Sequence, residues 1–198
     1  MKFTPIVFAI SLCLTSILSG FLPGLIPPAE ATSPAKPATA EENQAVSQLL
    51  QNSKRFKVCA DSLNLESAKR ASRAYKVDNQ TYFVMVQCFL AAYQGNYEFF
   101  LYAPKAKGNV VKPLSLTEFT QNQAGKVEKV ESTSIGGLPT FNPNQRILTV
   151  RTKYRGLGDC GSNARYRLDN EALKLLDFKA KFACDGKMAP YSQIFPAK

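Results

Sequence analysis

The sequence predicts an α+β protein: an antiparallel sheet built of hairpins, with an N-terminal helix and two disulfides, a mainly β fold being the alternative. Three observations carry this. Four cysteines follow the apolar leader, an even number that suits an oxidising compartment. Runs such as "TYFVMVQCFLAAY" and "RILTVRTKY" are rich in β-branched and aromatic residues and are bounded by turn chemistry. One amphipathic stretch, "EENQAVSQLLQNSKRF", precedes them all.

The chain of 198 residues opens with Met1-Lys2, runs apolar from Ile6 to Leu18 and reaches Ala29-Glu30-Ala31. A short positive start, an apolar middle and a small-x-small site are the layout of a secretory signal peptide. A membrane anchor is the alternative, but spanning needs about 20 apolar residues, and Gly20, Pro23, Gly24 and Pro27-Pro28 interrupt this segment. The expected organisation is a signal peptide over 1–31, a flexible tether over 32–40 ("TSPAKPATA"), and a single globular domain over 41–198. Such a chain would be periplasmic or secreted, with no transmembrane span after cleavage.

Within the domain, Glu41 and Glu42 stand where a helix dipole favours negative charge, Lys54 and Arg55 at the other end, and Ala45, Leu49 and Leu50 form a stripe. "FKVCADSLN" reads as a short strand ending in a turn, and "LESAKRASRAYKV" is equally compatible with helix or irregular structure. Thr81 to Tyr93 reads as a strand buried on both faces because its apolarity is nearly continuous. Gln94-Gly95-Asn96 is turn chemistry and "YEFFLYA" a returning strand, which predicts a hairpin at the centre of the sheet. "PKAKGNVVKP" reads as an exposed loop. Ser115 and Glu118 in "SLTEF" have capping-box spacing and predict the start of a short helix. "STSIGGLPTFNPNQ" reads as irregular, and Arg146 to Tyr154 alternates as a half-buried strand.

Cys13 lies in the leader, which leaves Cys59, Cys88, Cys160 and Cys184 and three possible pairings. Cys59–Cys88 with Cys160–Cys184 is favoured, because each pair then encloses one strand-rich unit.

"RTKYRGLGDCGSNARYRL", followed by "CDG" and "IFPA" and preceded by "LPTFNP" and "CFLAAYQGNY", resembles an exported bacterial family, the domain of unknown function 1176, most strongly over Leu138 to Ala197. The resemblance implies that the glycine-rich stretch joins two strands, that cysteines flank a hairpin, and that the protein belongs to the cell envelope. It implies no activity. With the alternation before it, it also favours strand over helix for "DNEALKLLDFKAKF".

"GLGDCG" satisfies G-x-G-x-x-G, yet a dinucleotide site needs a helix to start at the third glycine, and Ala164 to Leu168 alternate as a strand. The chain contains no histidine, so no cysteine–histidine or serine–histidine pair can form within it. No Cys-x-x-Cys pair is present, and neither a metal nor a cofactor is expected. The stretch reads instead as a structural turn: Gly156, Gly158 and Gly161 relax the backbone, Asp159 ties it, and Cys160 anchors it. Asp169-Asn170 reads as a hairpin turn.

Two functional classes remain. The formal charge is +10, and residues at spacing two on a strand share a face, so Arg151, Lys153, Arg155, Arg165 and Arg167 would form a basic face. That suits a non-catalytic envelope module that holds an anionic polymer or an exported protein; nucleic acid is not expected outside the cell. The alternatives are a histidine-free hydrolase using two of Asp159, Asp169, Asp177 and Asp185, or an inhibitor of an exported enzyme.

Overall fold

The computed structural model describes residues 37–196. The expected signal peptide and the first part of the tether, 32–36, lie outside the described residues. Within them, no helix is long and apolar enough to cross a membrane.

The first helix, α1 (Ala40–Gln51), starts where its capping chemistry dictates. The Thr39 hydroxyl accepts from Glu42 N–H at 3.2 Å and Thr39 N–H donates to the Glu42 carboxylate at 2.8 Å. Ala45, Val46, Leu49 and Leu50 are its buried stripe. One further turn of helix, α2 (Ser53–Phe56), follows. The strand expected over "FKVC" does not form. Lys57, Cys59 and Ala60 have φ of 53°, 59° and 44°, a tight turn that no ladder can accept, held by the Cys59 N–H donating to Glu98 at 2.8 Å. The next segment is resolved as helix α3 (Leu65–Ala71), capped by the Asn64 side chain, and strand β1 (Arg73–Asp78).

Strands β2 (Thr81–Leu90) and β3 (Gly95–Ala103) form the expected hairpin, but its turn is residues 91–94, and Gly95 and Asn96 already belong to β3. Gly95 is needed there for a packing reason: a Cβ would fall 2.4 Å from the Gln87 side chain. Strand β4 (Val110–Leu114) forms inside the expected loop and pairs with Phe99–Ala103 of β3. The short helix expected at "SLTEF" is instead strand β5 (Leu116–Gln121), hairpinned to β6 (Val127–Ser132). Its capping-box spacing is coincidental, because cross-strand pairing to β6 offers its backbone partners that a two-turn helix could not.

The stretch expected to be irregular is strand β7 (Ser134–Asn142). Its first half pairs with β3 and its second half with β8 (Ile147–Lys153), so the strand changes partners at Gly136-Gly137. A Cβ on Gly137 would lie 2.9 Å from the Arg151 carbonyl, which explains the glycine. Strands β9 (Gly161–Asp169) and β10 (Ala172–Lys181) are joined by Asn170-Glu171, both at positive φ, a hairpin turn one residue later than the expected Asp169-Asn170. The stretch that could have been helix is therefore strand. A short β11 (Ser192–Phe195) completes a nine-stranded antiparallel sheet in the order β1-β2-β3-β7-β8-β9-β10-β11, with β4 sharing with β7 the edge of β3 opposite β2. The β2–β3 hairpin thus stands second and third from one end, not at the centre.

The sheet folds back on itself around a shared core. Phe83, Met85, Phe99 and Leu101 from one half meet Leu148, Val150, Tyr166 and Phe178 from the other, with the Phe141 ring of β7 4.3 Å from that of Phe83 and tilted to it by 34°. On the other face of β2 and β3, Val84, Val86, Phe100 and Tyr102 pack with Leu49, Leu50 and Ala68 of the helices. The Tyr102 hydroxyl donates to the Gln48 side chain of α1. Strand β2 is buried on both faces, as its apolar run required. The β5–β6 hairpin closes one side: Leu116 enters the shared core, Phe119 packs 5.2 Å from Phe178, and the Tyr166 hydroxyl donates to the Thr117 carbonyl at 2.9 Å. Both favoured disulfides are present, Cys59–Cys88 and Cys160–Cys184. At sequence separations of 29 and 24, each stabilises the fold by about 3 kcal/mol on the chain-entropy account.

Candidate functional site

The half of the sheet made by β8, β9 and β10 has one face in the core and the other in solvent. Alternation does this residue by residue: Leu148, Val150, Ala164, Tyr166, Leu168, Leu173 and Phe178 turn inward, while Arg151, Asn163, Arg165, Arg167, Lys174 and Lys179 are exposed. Register then assembles the outer face. Arg151 stands opposite Asn163, which stands opposite Lys179, and Arg165 stands between Thr149 and Asp177. Arg151, Arg165, Arg167 and Lys179 have no ion-pair partner among the described residues. Lys174 is held by Asp169 at 2.5 Å, and the Gln193 amide donates to Asp177 at 2.8 Å.

Of the five residues expected on this face, Arg151, Arg165 and Arg167 are there. Lys153 has the right parity but is half-buried at the strand end, its backbone N–H and C=O bonded to the Gln94 side chain. Arg155 is not on the strand at all. It follows the end of β8 and grips Asp159 with two hydrogen bonds of 2.7 and 2.6 Å, so its charge is compensated. Lys179 was missed, because its membership depends on a strand assignment and a register that local patterning does not supply.

The glycine-rich stretch is a turn between two strands. Gly158 has φ of +75°, and a Cβ on Gly161 would lie 2.1 Å from the Thr152 carbonyl. Gly156 departs from expectation, since its φ is not positive and a Cβ would meet only the Tyr93 ring at 3.5 Å. The Asp159 side chain is buried and saturated by Arg155 and the Gly186 N–H at 2.7 Å. Strand β9 begins at Gly161, where a dinucleotide fold would begin a helix.

Among the described residues, none of the four aspartates is hydrogen-bonded to another. Arg155 holds the Asp159 carboxyl far below the usual range, Lys174 lowers Asp169, and Lys181, bonded at 2.6 Å, lowers Asp185. A carboxylate so held is not a proton donor near neutrality. The group that titrates there is Glu118 on β5, pushed up to about 7 by burial against the smaller opposing effect of the Ser132 hydroxyl. Reading Leu116 and Glu118 as alternate residues of a strand would have found it. Cys59, Cys88 and Glu98 bring their ligand atoms within 4.8 Å of one another, but both sulfurs are in the disulfide, so no thiolate is offered to a metal.

Two shallow clefts adjoin this architecture. One, of about 530 Å³, lies between Arg151 and Asn163 and the Met188–Tyr191 segment. The other, of about 610 Å³, lies beside Lys54, Lys57 and Leu63.

Together these features define a disulfide-stapled sheet in which helices cover one half, while on the other half Arg151, Arg165, Arg167 and Lys179 are exposed. The chain belongs to the family described as "Protein of unknown function (DUF1176)", whose model matches residues 21–196. It is also similar to "Uncharacterized protein YpfG" of Escherichia coli (strain K12), 39% identical over 51 residues, a match that covers 26% of this chain and 15% of that protein. No solved structure matches the chain.

Proposed function

We propose that this protein is an exported, non-catalytic module that holds an anionic polymer of the cell envelope on the outer face of β8, β9 and β10. The observation that carries the reading is the set of four exposed cations, Arg151, Arg165, Arg167 and Lys179, standing unpaired on one uncovered sheet face. Neighbouring strands lie about 4.8 Å apart and alternate residues about 7 Å apart, so a flexible polyanion can meet several of these charges at once. Their shared fixed backbone lowers the ordering cost of each contact after the first. The net charge of +10 adds a long-range attraction that salt screens within about 10 Å at 0.1 M. Two disulfides, each enclosing one strand-rich unit, support residence in an oxidising compartment, periplasmic or secreted.

The carboxylate hydrolase has less support, because each of the four aspartates is committed to its own cation or amide. The inhibitor reading rests on no particular loop. The test of the binding face is retention on a carboxylate or phosphate matrix across a salt gradient. The variant R151E/R165E/R167E/K179E changes exposed positions only and should elute at much lower salt than the native chain, with an unchanged circular dichroism spectrum. Equal retention of the two would overturn the proposal, and capture of an exported protein lost in the same variant would replace the polymer by that partner.

A further inference from the structure

Three loops meet at one end of the molecule. The β2–β3 turn is fastened to β8 by the Gln94 amide, which donates to the Lys153 carbonyl at 3.1 Å and accepts from its N–H at 2.9 Å. The β8–β9 loop lies against that turn, the Cβ position of Gly156 being 3.5 Å from the Tyr93 ring. The loop after β10 is tied to the second by Cys160–Cys184 and by Gly186 N–H bonded to Asp159 at 2.7 Å. Of the twelve large apolar side chains exposed among the described residues, six stand here: Phe89, Leu90, Tyr93, Tyr154, Leu157 and Met188. Three of them are the most exposed: Leu90, the last residue of β2 before the turn, at 64%, Leu157 on the β8–β9 loop at 60% and Met188 on the loop after β10 at 74%. Such a concentration at one end, on loops that are pinned together, marks an interaction surface.

Its surroundings say what it meets. Arg151 and Lys187 are exposed beside these loops, and Lys54 and Lys57 line the cleft next to the Cys59–Cys88 bridge; none has an ion-pair partner among the described residues. The acids nearby are partly compensated, Asp159 by Arg155 and Asp185 by Lys181, while Asp61 and the half-buried Glu98, whose carboxylate accepts from Cys59 N–H, have no cation partner among the described residues. A protein partner is a poorer fit, because protein interfaces are depleted in lysine and need a continuous shaped core. A hydrophilic polymer offers nothing to leucine and methionine. A fluid bilayer accepts single apolar side chains from separate loop tips, and lysine places its stem along them with its ammonium at the phosphates.

We propose that this end of the molecule docks on an anionic lipid surface, with Leu90, Leu157 and Met188 entering the boundary between headgroups and acyl chains. The surface is separate from the cationic sheet face apart from Arg151, and the apolar tips are what distinguish the two. The chain contains no tryptophan, so Leu157→Trp and Met188→Trp report on their own surroundings without background. Residues 37–198 suffice as the test protein, because both cores and both disulfides lie within 37–196. With vesicles of phosphatidylcholine and phosphatidylglycerol, both tryptophans should shift to the blue and be quenched by lipids brominated on the acyl chains. The L90S/L157S/M188S variant should bind those vesicles about tenfold or more weakly, since it removes three apolar anchors, while its melting temperature is unchanged. No blue shift would overturn the proposal. Equal binding by the triple variant would reduce the contact to charge alone and overturn it too. A concentration-dependent dimer lost in the triple variant would assign the patch to a second copy of the chain.

Discussion

The two halves of the sheet are made of similar strands and have different fates. In β2 and β3 both faces are apolar, and helices α1 and α3 cover the second, so that half is scaffold throughout. In β8 and β9 the second face carries arginines and, among the described residues, no helix covers it, so that half stays exposed. The difference teaches that availability in this fold is decided by the second face of a strand. The first is committed to the shared core in either half.

The largest way to break this comparison is to exchange the character of the two outer faces. Val86→Asp places a charge under the helices where nothing can pair with it, and should cost more than about 4 kcal/mol or prevent folding. Arg165→Ser on the open face should change stability by less than about 0.5 kcal/mol. Urea unfolding of the two variants measures both, and similar losses would mean that the open face is covered after all.

A second contrast lies in the two bridges. Replacing either pair by alanine should cost about 3 kcal/mol, since the loops are of similar length. Their accessibility differs, however. Cys59 and Cys88 are both buried, whereas Cys184 is exposed. Limited reduction and alkylation followed by mass spectrometry should therefore label Cys160 and Cys184 first, and the reverse order would contradict the described burial.

A smaller effect than that of either bridge belongs to Glu118, at the edge where β5 closes the fold. Its carboxyl is raised from 4.5 to about 7, so the folded state binds the proton more tightly than the unfolded chain. Below the unfolded value this costs nothing. Between about pH 4.5 and 7 stability falls as pH rises, and above that the loss is complete. Solvent at this half-buried site screens the effect to on the order of 1–2 kcal/mol. Glu118→Gln should remove that slope and raise the melting temperature at pH 8 more than at pH 5. An equal change at both values would place the carboxyl near its ordinary range.

Much of the scaffold was legible before the fold was known. Glu41, Glu42 and the spacing of Ala45, Leu49 and Leu50 mark α1 by local chemistry alone, whereas its cap Thr39 and first residue Ala40 read as the end of the tether. The apolar run of β2, the alternation of β8, the Asp169-Asn170 turn and the pairing of the cysteines are equally local or nearly so. At the candidate face, the period of two already grouped Arg151, Arg165 and Arg167. Several elements escaped, β1, β6 and β11 among them. The Phe56–Cys59 turn reads as strand because valine and phenylalanine favour extended backbone in isolation, and it is bent by Glu98, far along the chain. Strands β4, β5 and β7 carry proline, glycine or a capping-box spacing, each a local signal against a strand, and exist because β3, β6 and β8 supply partners.

What the sequence determined by itself was whatever depends on neighbours a few residues away: helix caps, turn residues, side-chain alternation, and a charge balance that makes the chain strongly basic. Only the tertiary structure decided which strands pair, that Arg155 is taken up by Asp159, that Lys179 joins the open face, and that three connections distant in sequence are fastened to one another. These depend on register and on chain reversal, where residues far apart in sequence become neighbours. No local preference encodes that proximity.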